Sequence, residues 1–190
     1  MKRIGILGGI GSGKSYVAQL FRCPVFNADK EVGHLYRKDK KIFYKLKKSL
    51  PKYFNKFPIN KDDVTRAILD NEQNLKKIIK IIHLEIRKRM NKFLKKNKIK
   101  KFVVLDIPLL LENKINRKSD ILVFVDSKKN DVLKRLKKRK NFNFKILKKF
   151  QNIQLSLDYK KKKSRFIIKN DFTKKTVTKY VKHILTQIKK

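Results

Sequence analysis

The chain carries Gly8-Gly9-Ile10-Gly11-Ser12-Gly13-Lys14-Ser15, which has the G-x-x-x-x-G-K-[ST] spacing of a phosphate-binding loop. It follows the apolar run Ile4-Gly5-Ile6-Leu7 and precedes apolar residues at helical spacing, so we expect a strand, the loop and a helix in succession. The glycines allow a tight turn in which several N–H groups face one anion, at the positive end of the helix dipole. A glycine-rich turn that matches by chance would lack this strand and helix.

The loop predicts where a nucleoside triphosphate binds. Lys14 is long enough to reach the β- and γ-phosphates and is predicted to be catalytic, while the Ser15 hydroxyl is predicted to ligate the bridging Mg²⁺. We expect the nucleotide to contact the whole loop and its outer edge, namely residues Gly8, Gly9, Ile10, Gly11, Ser12, Gly13, Lys14, Ser15 and Tyr16. ATP and Mg²⁺ are therefore the predicted cofactors.

Length and composition indicate one α/β unit with a smaller appended part. The chain has 190 residues, of which 41% are hydrophobic. The apolar run Phe102 to Leu111 is interrupted by Asp106 and Pro108 and is too short to span a bilayer. Met1-Lys2-Arg3 leads directly into the first strand, so we expect no signal peptide and a cytoplasmic location. The single Cys23 excludes an internal disulfide and is expected to be a structural thiol.

The net charge of +39 would, taken alone, indicate a nucleic-acid-binding protein. The lysines are spread over almost every predicted helix instead of forming one patch, which favours a general compositional bias. A basic nucleotide-dependent RNA- or DNA-binding protein stays open as an alternative at this point. In either case the positive field predicts salt-sensitive capture of polyanionic ligands.

Five strand-like runs alternate with helical patterns, which predicts a parallel sheet flanked by helices. The runs are Arg3–Leu7, Pro24–Asn27, Phe102–Asp106, Ile121–Asp126 and Phe166–Ile168. We predict a single unit, 1–190, with a nucleotide-binding core built from 1–29, 100–130 and 164–190. Residues 30–99 are predicted to be a helical insertion, with one long helix over Leu75–Leu94. Residues 131–163 are predicted to form a lid of two helical pieces joined near Asn141-Phe142-Asn143, although a solvated helix pair would have the same charge pattern.

Several motifs in this order resemble the dephospho-CoA kinase family over almost the whole chain. The resemblance lies in the loop Gly8–Ser15, the turn Asn27-Ala28-Asp29, the element His83-Leu84-Glu85-Ile86-Arg87, the segment Asp106–Glu112, and Arg135 with Arg139 ahead of Gln154. It implies a P-loop kinase-like fold with a helical acceptor-binding insertion and a helical lid. It also implies transfer of the γ-phosphoryl of ATP to the ribose 3′-hydroxyl of dephospho-CoA, by a monomer or weak homo-oligomer with no membrane and no specific nucleic-acid partner.

Two carboxylates are candidates for the chemistry. Asp29 follows a strand end, where ligands of parallel sheets collect, and we predict that it binds the acceptor hydroxyl and acts as base. Asp106 ends an apolar strand like the carboxylate that holds Mg²⁺ through water in other phosphate-loop proteins, and we predict metal and substrate binding there. The structural alternatives are a helix cap for Asp29 and a strand-end turn residue for Asp106.

Two pairs of basic residues are candidates for binding phosphates. His83 and Arg87 are one helical turn apart and are predicted to bind the acceptor, with a buried structural histidine as the alternative. Arg135 and Arg139 have the same spacing and are predicted to clamp ATP, with Arg139 also catalytic; ordinary solvated helix charge is the alternative.

The chain departs from the family pattern at four positions. Asn27 replaces an aspartate, Leu84 replaces a proline, Tyr16 replaces a small hydroxyl residue, and Phe150 stands where an arginine usually precedes the lid glutamine. Phenylalanine cannot stabilise charge on the transferring phosphoryl group, so Arg135, Arg139 or Lys149 would have to do so. Phe150 leaves a catalytically silent paralogue open as an alternative. Another small-molecule or nucleotide P-loop kinase is the second alternative, although the motifs Asn27-Ala28-Asp29 and Asp106–Glu112 argue against it.

Overall fold

A computed structural model describes residues 1–139 and 142–189. Within these residues the strands form one sheet in the order β2-β3-β1-β4-β5, and every neighbouring pair is parallel. The strands are β1 (Lys2–Gly8), β2 (Val25–Asn27), β3 (Phe102–Asp106), β4 (Ile121–Asp126) and β5 (Phe166–Lys169). The predicted α/β class and parallel sheet are confirmed.

The helices lie between these strands and after them. They are α1 (Lys14–Leu20), α2 (Ala28–Lys38), α3 (Lys40–Ser49), α4 (Lys61–Asp70), α5 (Glu72–Lys96), α6 (Lys129–Lys137), α7 (Phe144–Asn152), α8 (Leu157–Lys163) and α9 (Lys174–Lys189). In the part of the chain that the structure describes, no helix is long and apolar enough to cross a membrane.

The chain divides into two compact units. One comprises Met1–Asn27, Asn97–Asn143 and Gln151–Lys190, apart from residues 140, 141 and 190, which lie outside the described residues. The other comprises Ala28–Lys96 and Phe144–Phe150. The first unit contains the whole sheet and is called the sheet unit below, and the second is called the helical unit.

Strand β1 lies in the middle of the sheet, where the apolar side chains of Ile4, Ile6 and Leu7 are buried. Ile4 pairs with Val104 of β3 on one side and with Ile121 of β4 on the other. Both faces of these strands must be covered, since parallel sheets are buried on both sides. Helices α1 and α9 cover one face with buried residues that include Val17, Ala18, Phe21, Val177, Val181 and Ile184.

The helical unit is organised around α5, the long helix that the apolar spacing predicts. Its buried side chains recur at helical spacing: Leu75, Ile78, Ile82, Ile86, Met90 and Leu94. The helix extends from Glu72 to Lys96 and is therefore longer than the predicted span Leu75–Leu94.

The predicted lid segment contains a break that the sequence analysis missed. Instead of two helical pieces it contains α6, α7 and α8, and the last two are separated by residues 153–156. Ser156 begins α8 by accepting a hydrogen bond from Tyr159 N–H at 3.2 Å. Asn141, at the predicted joint, lies outside the described residues.

Cys23 is half-buried, and this burial raises the pKa of its thiol to about 11. Because only the thiolate reacts, we expect alkylation of the native protein at pH 8 to be about 100-fold slower than that of an ordinary exposed thiol. The measurement is the rate of alkylation by iodoacetamide, followed by mass spectrometry, in buffer and in guanidinium chloride. Equal rates in the two solvents would contradict the raised pKa.

Candidate active site

The phosphate-binding loop connects the end of β1 to the start of α1. Gly11 and Gly13 have φ angles of +82° and +91°, which non-glycine residues rarely adopt. A Cβ atom on Gly13 would also lie 2.5 Å from Asn170 Nδ2. Both positions therefore require glycine, and the backbone turns as a phosphate cradle must.

Two residues that were not predicted from the sequence support the loop through hydrogen bonds to its backbone. Asn170, which is 4% exposed, donates from Nδ2 to the Ser12 carbonyl oxygen at 2.8 Å, and Ser127 Oγ donates to the same oxygen at 3.0 Å. They follow the ends of β5 and β4, and the carboxyl ends of parallel strands share one edge of the sheet. That rule could have identified them.

Lys14 lies across the mouth of the loop. Its Nζ donates to the carbonyl oxygens of Gly9 at 2.7 Å and of Gly8 at 3.2 Å. The ammonium group of Lys14 therefore lies against the loop backbone, and its contact with the β- and γ-phosphates stays a prediction from the motif.

Ser15, Asn27 and Asp106 lie together beside the loop. The register of β2 with β3 places Asn27 opposite Asp106. Asn27 Nδ2 donates to Asp106 Oδ2 and lies 3.4 Å from Ser15 Oγ, while Asp106 is 3% exposed. The amide, in place of the family's aspartate, keeps the Asp106 carboxylate oriented.

This arrangement fits Mg²⁺ in chemical type. A hydroxyl and a carboxylate are hard oxygen donors, which Mg²⁺ prefers together with phosphate oxygens and water. Among the described residues, no group of three or more His, Cys, Asp or Glu side chains could hold a metal ion.

Asp29 belongs to the helical unit, in the first turn of α2. It follows Asn27, the last residue of β2, by two positions along the chain. An acidic residue in a first helical turn also interacts favourably with the helix dipole, so the capping role considered above is compatible with this position.

His83 and Arg87 both lie on α5 in the helical unit. His83 Nε2 is buried and makes no hydrogen bond within the described residues. Burial lowers the pKa of His83, and the positive charge of Arg87 lowers it further. The imidazole is therefore kept neutral near pH 7, and its buried ring nitrogen could bind a ligand group.

Because the pKa of His83 is lower in the folded than in the unfolded protein, its contribution to stability is complete above the unfolded value of about 6.5. It is lost as the pH falls through the lower folded value. We expect Arg87→Gln to raise the pKa of His83 without restoring the ordinary value of about 6.5, since burial is the larger cause of the shift. An NMR titration, with His83→Gln to assign the signal, measures this. A pKa of 6.5 or more in the unsubstituted protein would contradict it.

Arg135 lies on α6, exposed to solvent, and its guanidinium carbon is 4.3 Å from the centroid of the Phe172 ring. Arg139 lies beyond the end of this helix, which stops at Lys137. The two arginines therefore do not share a helical face, and the argument from their spacing is wrong for Arg139. Tyr16, on α1, is exposed at the edge of the loop.

A cavity of about 360 Å³ opens beside the loop within the sheet unit. Gly9, Ile10 and Ser12 line one side of it. Asp126 and Ser127 follow β4 on another side, and the turn between α7 and α8 closes it. The loop therefore borders a partly open cavity.

The sequence profile described as "Dephospho-CoA kinase" matches residues 2–176. A curated dephospho-CoA kinase from Wolbachia pipientis wMel is 34% identical over 190 residues, which is 97% of each chain. Two solved structures share the fold. "TT1252 from Thermus thermophilus" has a TM-score of 0.79 at 23% identity, covering 98% of this chain and 97% of that one. The dephospho-CoA kinase from Campylobacter jejuni has a TM-score of 0.64 at 20% identity, with the same coverage.

The family match covers most of the chain, and it includes the phosphate-binding loop, the strand that ends at Asp106 and both arginines of the predicted lid. The chain belongs to the dephospho-CoA kinase family.

Proposed function

We propose that this protein transfers the γ-phosphoryl group of ATP to the ribose 3′-hydroxyl of dephospho-CoA, giving CoA and ADP. The observation that carries the proposal is the loop itself, in a chain of this family. Lys14 crosses the mouth of a glycine cradle, with the Ser15 hydroxyl and the Asp106 carboxylate brought together by Asn27.

In the proposed nucleotide complex, residues 8–16 hold the phosphates and Lys14 turns from the loop carbonyls to the β- and γ-phosphates. Ser15 and Asp106 would hold Mg²⁺, which supplies charge neutralisation between the phosphates. Exchanging two carbonyl contacts for two phosphate contacts keeps the ammonium group solvated by oxygen throughout. This agrees with Lys14 acting as a mobile point charge.

Asp29 is the proposed base for the acceptor. It takes the proton from the 3′-hydroxyl as the oxygen forms its bond to the γ-phosphorus, and the bond from that phosphorus to the β,γ-bridging oxygen breaks to release ADP. Phosphoryl transfer depends on orientation of the reactants and neutralisation of charge more than on covalent catalysis by the protein, so a single carboxylate is sufficient as the base.

Arg135 and Arg139 are proposed to bind the nucleotide from the lid, residues 131–163. The contact of Arg135 with Phe172 supports this for Arg135, because Phe172 Cε1 would lie 3.6 Å from a Cβ on Gly13 and so stands beside the loop. A planar base can stack on such a pair of flat groups. Arg139 is proposed to stabilise the transferring phosphoryl group, since Phe150 cannot.

The helical insertion, residues 30–99, is proposed to bind the acceptor through His83 and Arg87. A guanidinium group suits the phosphates of dephospho-CoA, and a neutral imidazole with an unpaired buried nitrogen suits a hydroxyl or a base edge. We further propose a cytoplasmic enzyme that is a monomer or weak homo-oligomer, which subcellular fractionation and sedimentation velocity test.

The proposal is tested by measuring ADP release from ATP and Mg²⁺ with and without dephospho-CoA, at low and moderate salt, with the product mass determined. Acceptor-dependent release and a product heavier by one phosphoryl group are expected. Release that dephospho-CoA does not stimulate would contradict the proposal. Tight salt-dependent binding of RNA, without acceptor phosphorylation, would favour a nucleic-acid-binding role instead.

A further inference from the structure

A buried ion pair in the sheet unit takes no part in the chemistry described above. Lys160 of α8 and Glu112, which follows β3, are 1% and 9% exposed, and Lys160 Nζ lies 2.6 Å from Glu112 Oε1. A lysine so fully buried is rare unless it is paired. We therefore expect this buried pair to have a specific role in the sheet unit.

The same two side chains hold the turn between α7 and α8. Glu112 Oε1 accepts a hydrogen bond from Leu155 N–H at 3.1 Å, and Lys160 Nζ donates to Gln154 Oε1 at 3.3 Å. The backbone of one turn residue and the side chain of its neighbour are thus both bound to the ion pair. This set of contacts among Glu112, Gln154, Leu155 and Lys160 is called the turn clamp below.

The turn clamp is poorly suited to stabilising the fold. Removing two charges from water costs free energy that their attraction only partly offsets, so an apolar pair of similar volume is often as stable or more stable. In addition, Glu112 Oε2 is buried without a hydrogen-bond partner among the described residues. What the turn clamp does provide is a fixed position of the turn relative to Glu112 and Lys160, because a hydrogen bond constrains both the distance and the direction between the groups that it joins.

The clamped turn faces the phosphate-binding loop. Gln154, Leu155, Ser156 and Leu157 line the same 360 Å³ cavity as Gly9, Ile10 and Ser12. Leu157 Cδ2 would lie 3.6 Å from a Cβ on Gly9, which is ordinary van der Waals contact. Glu112 lies six residues after Asp106 in the same segment of chain. Residues 154–157 are called the 154–157 wall below. The turn clamp connects this wall to the segment that follows β3, the strand that ends at the proposed metal ligand Asp106.

We propose that Glu112 and Lys160 are positioning residues for phosphoryl transfer, because they set the distance of the 154–157 wall from the phosphate-binding loop. The proposal rests on the proposed kinase function for its kinetic consequences. A wall displaced by about 1 Å would misplace the γ-phosphoryl group relative to its acceptor, which costs up to about 100-fold in rate. The effect falls on kcat more than on KM, since the cradle itself is unchanged.

The test uses the double variant Glu112→Leu/Lys160→Met, which replaces the pair by apolar groups of similar size. We expect Lys160→Met alone to lower the thermal midpoint, because it leaves Glu112 buried and unpaired, and the double variant to recover it. We expect kcat to stay about 10- to 100-fold low in both. Recovery of kcat together with the midpoint would overturn the proposal, since the pair would then be structural only.

A measurement that does not depend on dephospho-CoA keeps the two proposals separate. Hydrogen exchange of the Leu155 amide, read by NMR, is expected to be at least about tenfold faster in the double variant than in the unsubstituted protein, because its acceptor is gone. Unchanged exchange would overturn the proposal even if the kinase assay gave no activity. Inactivity of the unsubstituted protein towards dephospho-CoA, by contrast, counts against the proposed function alone.

Two further variants complete the test. Glu112→Gln keeps an oxygen acceptor for Leu155 N–H and Lys160 Nζ but removes the counter-charge of Lys160, so a lower thermal midpoint is expected. Measured well below that midpoint, kcat is expected within a few-fold of the unsubstituted protein, and a loss as large as that of the double variant would overturn the geometric role. Lys162→Met removes an exposed charge from the same helix and should leave kcat, midpoint and exchange unchanged.

Discussion

Asp29→Asn is expected to reduce turnover about 10³-fold, the middle of the range for a positioned general base, while ATP binding stays within a few-fold. The amide has the size of the carboxylate and can still accept a hydrogen bond from the acceptor hydroxyl, but it cannot take its proton. The variant therefore separates proton transfer from orientation. The measurements are kcat with saturating dephospho-CoA and the ATP dissociation constant from calorimetry.

Asp62→Asn provides the matched control for Asp29→Asn. Asp62 lies in the first turn of α4, as Asp29 lies in the first turn of α2, so both substitutions remove a favourable charge from a helix N-terminus. If Asp29 only stabilises its helix, both variants should lose a similar free energy of unfolding and retain turnover. Unchanged turnover in Asp29→Asn would remove Asp29 from the mechanism.

Lys14→Met is the second substitution with a large expected effect. It keeps the alkyl chain but removes the ammonium group that now contacts the Gly8 and Gly9 carbonyl oxygens. Since this charge is proposed to follow the β- and γ-phosphates into the transition state, we expect kcat/KM to fall about 10²- to 10³-fold. Most of the fall should appear in kcat, and the rest as weaker ATP binding.

The high lysine content makes a control for charge essential. Lys118→Met removes one positive charge from an exposed position outside the loop, out of a net +39. If Lys14 acts only through the overall positive electrostatic potential of the protein, both variants should show the same modest, salt-dependent loss of kcat/KM. A loss confined to Lys14→Met at both low and moderate salt indicates the specific contact.

The sheet could be predicted because its strands are buried on both faces. Runs such as Phe102–Asp106 and Ile121–Asp126 are almost entirely apolar, and few structures other than a covered parallel strand accept such a run between helices. The glycine requirement at position 13 followed from the loop motif, and the φ angle of Gly13 confirms it; the same requirement at Gly11, an unspecified position of the motif, is visible only in the structure.

The residues that support the site were harder to predict because their roles depend on contacts distant in sequence. Asn170 and Ser127 each bond the same Ser12 carbonyl oxygen, from 158 and 115 positions away. No periodicity marks such a contact. The break before α8 was missed for a related reason: Ser156, which ends it, is a single serine between Leu155 and Leu157, and only the hydrogen bond that it accepts from Tyr159 N–H identifies it as a cap.

The register of β1 has a consequence for how the protein is made. Ile4 pairs with Val104 and with Ile121, so β1 meets neither of these partners until at least 100 further residues have been synthesised. Such distant pairing delays folding, because the entropy of the intervening chain must be lost before the strand contacts form and offset that loss. The loop that follows β1 is held by Ser127 and Asn170, so its support is complete only after β5 has been synthesised. Until then the apolar segment Ile4–Leu7 is an aggregation risk that a chaperone would need to cover.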